Sequence, residues 1–181
     1  MRKQFFVCLA AIVMALMTMT SCNDDVNTPT DSRIAKDLPG TWVMNDNNVS
    51  TTGGARSAKF VFTNSGFSLE YYRKAQSSVY SYSVSGTWKV FKETLELTYN
   101  VSTLTTTGMT KSEIDDLMIV MNDNNSNLND KPDTTPLGMN IEVSRSYATG
   151  TGIMRLSGYN PDLVGVYNYT SETPAWPPTV E

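Results

Sequence analysis

The chain has 181 residues, with 14 basic and 18 acidic side chains, two cysteines and no histidine. The absence of histidine excludes an imidazole general base, a Ser-His-Asp or Cys-His relay, and any zinc or haem site built on histidine. Two cysteines are too few for a four-thiolate metal site, and the length suits one domain with an ordinary core.

The chain begins with a short hydrophobic segment behind two basic residues. Arg2 and Lys3 precede an uncharged run from Phe5 to Met17. As a helix this run extends roughly 20 Å, which is shorter than the ~30 Å hydrocarbon core of a bilayer. These features are typical of a secretory signal, which we predict over residues 1–21. The alternative, a buried N-terminal core helix, leaves the basic start and the polar end of the run unexplained.

The run ends in Met19-Thr20-Ser21-Cys22, which resembles the lipobox of bacterial lipoproteins. The resemblance implies cleavage before Cys22, a diacylglycerol (palmitate-type) anchor on its sulfur and acylation of its amine. Several acyl chains together give stable membrane anchoring. The alternative is ordinary secretory cleavage, which leaves Cys22 as a lone thiol in an oxidising compartment.

Residues 22–36 are polar, contain Pro29 and predict a flexible tether. Within them Asn23-Asp24-Asp25 resembles the short acidic export signal of surface lipoproteins in Bacteroidetes-type bacteria. This resemblance implies an outer-membrane lipoprotein at the cell surface, with the periplasmic face as the alternative. Because Cys8 leaves with the signal and Cys22 carries lipid, no disulfide is expected in the mature chain.

The remaining 160 residues are acidic and rich in small polar side chains. They keep 12 basic and 18 acidic residues, so their net charge is −6. This balance argues against nucleic-acid binding, which depends on basic residues that neutralise phosphates. Thr, Ser and Asn make up a third of these residues and favour strands and turns over helices.

Period-2 alternation of apolar and polar residues recurs along the chain and predicts antiparallel strands with one polar face. The turns between them are short, as at Asn64-Ser65-Gly66 and Lys92-Glu93. Sequential strands joined by tight turns predict an all-β, up-and-down meander, which avoids exposed edges by closing into a barrel. The predicted inward faces are Phe60 and Phe62; Phe67, Leu69 and Tyr71; Tyr80, Tyr82 and Val84; Leu95, Leu97, Tyr99 and Val101; and Ile141, Val143, Arg145 and Tyr147, with further strands at 153–157 and 163–169.

One insertion, at about residues 110–134, interrupts the strand pattern. Thr110-Lys111-Ser112-Glu113 has the form of a capping box, and apolar residues at helical spacing follow it. We predict a short helix from about Lys111 to Met121 and a polar loop over residues 122–133. That loop resembles the start of a calcium loop at Asp123, but Leu128 and Thr134 stand where an EF-hand needs Gly and Glu, so no metal site is predicted.

The segment Leu38-Pro39-Gly40-Thr41-Trp42 opens the first strand of residues 37–181 with a Gly-x-Trp motif. Together with the meander, it resembles the first strand of lipocalin-like barrels, including lipoproteins of unknown function. The resemblance implies that Gly40 and Trp42 close one end of the barrel and that a late arginine packs on the Trp face. Arg155 or Arg145 fits that role, and a cation–π contact of this kind contributes about 0.5–2 kcal/mol.

No pair of carboxylates is placed across a cleft by the predicted elements, so we predict no catalytic residues, no cofactor and no enzymatic activity. Nine tyrosines are the other notable feature. Tyr80, Tyr82 and Trp88 are candidates for lining a ligand site, whereas the alternative is that strand tyrosines fill the core and keep their hydroxyls wet. The Pro-rich segment around Trp176 predicts a tail rather than a central strand.

The resulting hypothesis is an envelope lipoprotein, anchored to the membrane at Cys22, whose lipocalin-like barrel binds a small apolar or amphiphilic ligand without catalysis. The alternative hypothesis is a surface module that binds a glycan or a protein partner through exposed aromatic side chains. The first predicts a concave, largely apolar cavity, and the second predicts a contiguous exposed aromatic patch.

Overall fold

A computed structural model describes residues 30–49, 54–75, 78–91, 93–130, 138–158, 160, 162–172 and 176 of the chain. The predicted signal, Cys22 and its acidic neighbours lie outside the described residues. So do residues 131–134 of the predicted insertion and the side chains of the Asn-rich segment 123–130.

Eight antiparallel strands form one sheet in sequence order, and the sheet closes on itself because β8 pairs with β1. The prediction of an all-β, up-and-down barrel-like fold is therefore confirmed. The strands are β1 (Gly40–Val49), β2 (Gly54–Phe62), β3 (Gly66–Ala75), β4 (Ser78–Phe91), β5 (Thr94–Thr107), β6 (Met139–Ser146), β7 (Thr151–Gly158) and β8 (Gly165–Thr170), with helices α1 (Thr30–Asp37) and α2 (Lys111–Asp130).

The alternating pattern of the sequence places one face of each strand in a shared core. In β3 the residues Phe67, Leu69 and Tyr71 are buried and alternate with more exposed neighbours. Opposite them, Tyr82 pairs with Tyr71 and Val84 pairs with Leu69 in the register of β3 and β4. Because the side-chain period of a strand is two, this register puts both apolar faces inside the ring.

Helix α1 was not expected. The predicted tether ran to residue 36, but Thr30–Asp37 is helical and Ile34 is buried with 3% of its surface exposed. The amide of Leu38 donates a hydrogen bond to the carbonyl of Ile34 at 2.9 Å, and Leu38 is fully buried. Residues 30–37 therefore belong to the folded domain, and the tether prediction is wrong for that segment.

The inserted helix is confirmed at its start and is longer than predicted. The amide of Thr110 donates to the Glu113 carboxylate at 2.6 Å, and the Glu113 amide donates to the Thr110 hydroxyl at 3.3 Å, which is the reciprocal pattern of a capping box. The helix runs to Asp130, so the loop predicted from residue 122 is wrong up to that point.

Helix α2 covers a break in the sheet. Among the described residues, β5 and β6 pair at two positions, Thr94 with Asn140 and Leu95 with Met139, so most of β5 has no described strand on that side. Helix α2 packs against β5, and Met121 of the helix is buried in the core. Covering an unpaired edge with a helix protects the edge from pairing with another chain.

The strand directions define two ends of the barrel. At one end of the barrel, which we call the closed end, β1 begins and β2, β4 and β6 end. At the other end, which we call the mouth, β1, β3 and β7 end and β5 leads into α2. Among the described residues, no helix is both long and apolar enough to cross a bilayer.

Candidate functional site

A cavity of about 470 Å³ lies at the mouth, between α2, the first residues of β4 and the turn that joins β7 to β8. Its size falls in the range of small-ligand pockets. Its lining combines aromatic, aliphatic and acidic side chains: Tyr80, Tyr82, Met109, Glu113, Asp116, Leu117, Val120, Asn160 and Asp162.

Strand β4 contributes the aromatic wall. It begins at Ser78 at the mouth, so Tyr80 lies nearer the rim and Tyr82 lies one inward position deeper. Tyr82 stacks on Tyr71 with ring centroids 5.1 Å apart and is only 5% exposed. Stacked aromatic pairs of this kind contribute about 0.5–1.5 kcal/mol beyond their buried area, which fixes the wall in place.

Helix α2 contributes the aliphatic wall and two carboxylates. Leu117 and Val120 lie three residues apart and therefore share one face of the helix. Glu113 and Asp116 have the same spacing nearer the helix N-terminus and also line the cavity. The hydrogen bonds from the Thr110 backbone amide and hydroxyl hold the pKa of the Glu113 carboxyl below its usual range.

The β7–β8 turn contributes Asp162, which is held by two groups of β3. The guanidinium Nη1 of Arg73 lies 3.6 Å from Oδ1 of Asp162, and the hydroxyl of Tyr71 donates to the same oxygen at 3.2 Å. Arg73 also donates to the hydroxyl of Tyr80 at 3.4 Å. These contacts join the turn to the aromatic wall.

Arg56 and Leu163 hold the same turn from the side that faces the barrel interior. Arg56 donates to the carbonyl of Val164 at 3.0 Å and pairs with Asp46 at 3.1 Å. Leu163 is fully buried, and its carbonyl accepts a hydrogen bond from the hydroxyl of Tyr167 at 2.8 Å. The buried side chains of Leu163 and Tyr167 therefore fill the barrel interior beneath the turn.

Burial raises the pKa of the inward tyrosines above the usual value near 10. Desolvation is the largest cause for Tyr82, followed by the nearby Tyr99, and desolvation followed by the charge of Asp162 is the cause for Tyr71. Burial also raises the pKa of Tyr80, although the hydrogen bond from Arg73 opposes this shift. All three hydroxyls stay neutral in the physiological range, and those of Tyr80 and Tyr82, which line the cavity, can exchange hydrogen bonds with a ligand.

The three ligand-lining candidates from the sequence are separated by the structure. Tyr80 and Tyr82 line the cavity, but Trp88 does not. Trp88 lies on β4 near the closed end, where its indole Nε1 donates to the carbonyl of Thr63 at 2.9 Å and its ring meets Phe62 edge-on at 5.9 Å. The assignment of Trp88 to the same ligand site is therefore corrected, because Trp88 lies six positions along β4 from Tyr82, towards the closed end.

The Gly-x-Trp motif lies at the closed end. Trp42 is fully buried and its indole Nε1 donates to the carbonyl of Leu38 at 2.7 Å. Gly40 has a φ of +137°, and a Cβ atom there would collide with the ring of Tyr169, so glycine is required at this position. Tyr169 in turn meets Trp42 edge-on at 5.4 Å.

Arg145, rather than Arg155, supplies the cation at the closed end. Its guanidinium lies 4.0 Å from the ring centre of Tyr169 and 4.8 Å from that of Tyr147, and it donates to the carbonyl of Pro39 at 2.6 Å. Arg155 is exposed, because the alternation of β7 turns Met154 inward and Arg155 outward. Of the two candidates, Arg155 is therefore wrong for this role, and Arg145 packs on Tyr169 instead of on Trp42.

A second, smaller groove of about 190 Å³ lies on the barrel wall. Trp176 forms one side of it, and the ammonium of Lys59 lies 5.2 Å from the centre of the Trp176 ring. The other lining residues are mostly hydroxyl-bearing and are Glu70, Ser81, Tyr82, Ser83, Thr105 and Thr107.

Several residues of the mouth were not identified from the sequence. Arg73 and Asp162 are the clearest examples, because only the closed fold brings them within 3.6 Å. One signal was present: Arg73 continues the inward series of Phe67, Leu69 and Tyr71, and a charged residue on an apolar face indicates a polar end of the strand. No group of three or more metal-ligating side chains is found within the described ranges.

Comparisons with known proteins identify no relative. No protein-family model matches the chain, and neither a curated protein nor a solved structure matches it.

Proposed function

We propose that this chain is a membrane-anchored envelope lipoprotein whose barrel domain binds a small apolar or amphiphilic molecule at the mouth, without catalysing a reaction. The observation that carries the binding half is the cavity of about 470 Å³ with a Tyr wall on one side and a Leu and Val wall on the other. Concave apolar surfaces with a few convergent polar groups are typical of small-molecule sites.

The anchoring half rests on the Met19-Thr20-Ser21-Cys22 resemblance. The acyl chains on Cys22 would hold the protein to the outer membrane at the cell surface. Helix α1 directly precedes β1, so the chain enters the barrel at the closed end. This entry point supports an arrangement in which the mouth lies at the end of the barrel remote from the tether.

Intact-mass analysis with palmitate labelling tests the anchor. We expect a labelled chain that begins at Cys22, and a Cys22→Ser variant that is neither labelled nor retained in the membrane fraction. An unlabelled chain that begins at Cys22 or elsewhere would contradict the anchor and leave the binding half standing.

Native mass spectrometry of protein purified from its own cells tests the binding half. We expect a co-purified small molecule on the wild-type chain and its loss from a Val120→Trp variant, because the added indole occupies the cavity. Ile119→Trp is the matched control, since Ile119 is the preceding residue of α2 and is 57% exposed. Equal ligand content in the two variants would contradict binding at the mouth.

The groove beside Trp176 favours a second candidate function, glycan binding on the barrel wall. An aromatic face and several hydroxyls beside a carboxylate are groups that contact sugars by stacking and hydrogen bonding. Glycan binding that is lost in Trp176→Ala and kept in Val120→Trp would favour this candidate. The opposite result would favour the mouth.

A further inference from the structure

The mouth cavity is charged as well as apolar, and its charges are all negative. Glu113, Asp116 and Asp162 line it, and no lysine or arginine is among the lining residues. The nearest cation described above is Arg73, which pairs with Asp162 at 3.6 Å. Glu113 and Asp116 form no ion pair within the described part of the chain, so the helix side of the cavity has two uncompensated carboxylates.

The surroundings of Glu113 favour its ionised form. Its carboxylate accepts hydrogen bonds from the amide and the hydroxyl of Thr110, and these bonds lower its pKa. Asp116 lies one helical turn further along the same face. The capping box therefore favours the ionised form of Glu113 at the rim.

The opposite wall offers aromatic faces and an unused polar group. Tyr82 is 95% buried, lines the cavity, and its hydroxyl forms no hydrogen bond with any described residue. This hydroxyl is therefore free to form a hydrogen bond with a ligand in the cavity. The ring faces of Tyr80 and Tyr82 also attract cations, with a contribution that grows when water is excluded.

From these observations we propose that the ligand is a cationic amphiphile, meaning a molecule with an ammonium or guanidinium group attached to an apolar body. This inference rests on the proposed function and specifies its ligand class. The cation lies between the carboxylates of Glu113 and Asp116 and the tyrosine wall, while the apolar body packs on Met109, Leu117 and Val120. An anionic amphiphile meets like charge at the rim, and Arg73 does not compensate because Asp162 already occupies it.

The test compares three probes with the same chain length and different head groups: octyltrimethylammonium, octanol and octyl sulfate, each below its micelle concentration. Binding to the purified barrel domain with its complete C-terminal segment is measured by isothermal titration calorimetry at low and high salt. We expect the cationic probe to bind at least ten-fold more tightly than the anionic probe at low salt. We expect this ratio to shrink at high salt, because ions screen exposed carboxylates.

Two variants assign the preference to the helix carboxylates. The Glu113→Gln and Asp116→Asn double variant should lose most of the ten-fold preference and keep binding of octanol, since Gln preserves the capping box. The control is Asp115→Asn, which removes one charge from an exposed position of the same helix outside the cavity and should keep the preference. Circular dichroism melts confirm that each variant is folded.

The outcomes separate the inference from the function it depends on. Equal binding of the three probes, or tighter binding of octyl sulfate, would overturn the cationic ligand while leaving an apolar cavity in place. A preference that survives the double variant would also overturn it. Failure of all three probes to bind saturably would contradict the proposed function itself.

Discussion

The two ends of the barrel are built from the same strands and the same residue types, but they differ in what their aromatic side chains contact. At the closed end Trp42, Tyr169 and Arg145 are partners of one another and of backbone carbonyls. At the mouth Tyr80 and Tyr82 border a cavity. An aromatic residue on a barrel strand is therefore structural or available to a ligand according to the end at which it lies.

The difference arises from what covers each end. Helix α1 and Leu38 cover the closed end with buried aliphatic side chains and leave its polar groups satisfied within the protein. Helix α2 instead covers the edge of β5, and a turn held by Arg73 and Arg56 lies beside it. We therefore expect the side chains of the closed end to contribute more to the free energy of unfolding than those that border the cavity at the mouth.

Truncation of Trp42 gives the largest expected effect on this comparison. Trp42→Ala removes a fully buried ring and a buried hydrogen bond, so we expect a loss of about 3–5 kcal/mol in the free energy of unfolding. Tyr80→Ala, at the mouth, is the counterpart and should cost at most ~2 kcal/mol because the ring is only half-buried and borders empty space. Urea denaturation measures both values, and equal losses would show that the two ends do not differ in stability.

The two candidate arginines give the next largest difference. Arg145→Gln removes a charge from two aromatic faces and breaks hydrogen bonds of 2.6 Å to Pro39 and Tyr169, so about 2–3 kcal/mol should be lost. Arg155→Gln changes an exposed side chain and should stay within ~0.5 kcal/mol of wild type. The assignment of the closed-end cation to Arg145 fails if the two variants are equally stable in the same urea titration.

These arginines show what the sequence could and could not predict. The strands and the capping box followed from local patterns, because period-2 alternation and capping act over a few residues. The role of Gly40 and Trp42 at one end of the barrel was implied by a family resemblance instead. Choosing between Arg145 and Arg155 required knowing which face of β6 and which face of β7 points into the barrel. Met139, Ile141 and Val143 precede Arg145 on one face, and this series was visible in the sequence.

Other features depended on tertiary contacts that local patterns do not encode. Helix α1 is short and polar apart from Ile34, so its burial depends on the barrel end that it meets. The Arg73–Asp162 pair joins residues 89 positions apart, and only barrel closure brings them together. The sequence pointed to Tyr80 and Tyr82 as ligand-lining candidates, and both line the cavity. It did not point to the acidic side chains of α2, because local patterns do not determine where that helix packs on the barrel.

Alkaline pH distinguishes the buried tyrosines of the barrel from exposed ones. Burial raises the folded-state pKa of Tyr82, Tyr99 and Tyr167 above 10, so the unfolded chain releases these protons first as the pH rises. Their contribution to stability is therefore complete below pH 10 and is lost above it, at about 1.4 kcal/mol per pH unit for each group.

Tyr82→Phe should reduce that loss by about 1.4 kcal/mol per pH unit and change little at pH 7, because its hydroxyl has no hydrogen-bond partner among the described residues. Guanidinium unfolding between pH 9 and 11 measures the slope. A slope equal to that of wild type would show that the Tyr82 phenol ionises as freely in the folded chain as in the unfolded one.

The smallest expected effect concerns the start of α2, which holds the acidic rim. Thr110→Ala removes the hydroxyl that accepts from the Glu113 amide and should cost about 1 kcal/mol, whereas Ser112→Ala, in the exposed first turn, should change stability by less than ~0.5 kcal/mol.

Because the capping hydrogen bonds lower the pKa of Glu113, their contribution is present above the unfolded-state pKa and is lost as the pH falls through the folded-state value. Amide hydrogen exchange across residues 111–122, followed from pH 7 towards pH 3, should therefore show α2 opening on acidification in wild type and already at neutral pH in Thr110→Ala. If exchange in α2 is the same in both proteins at neutral pH, packing against β5 alone holds the helix, and the rim does not depend on its cap.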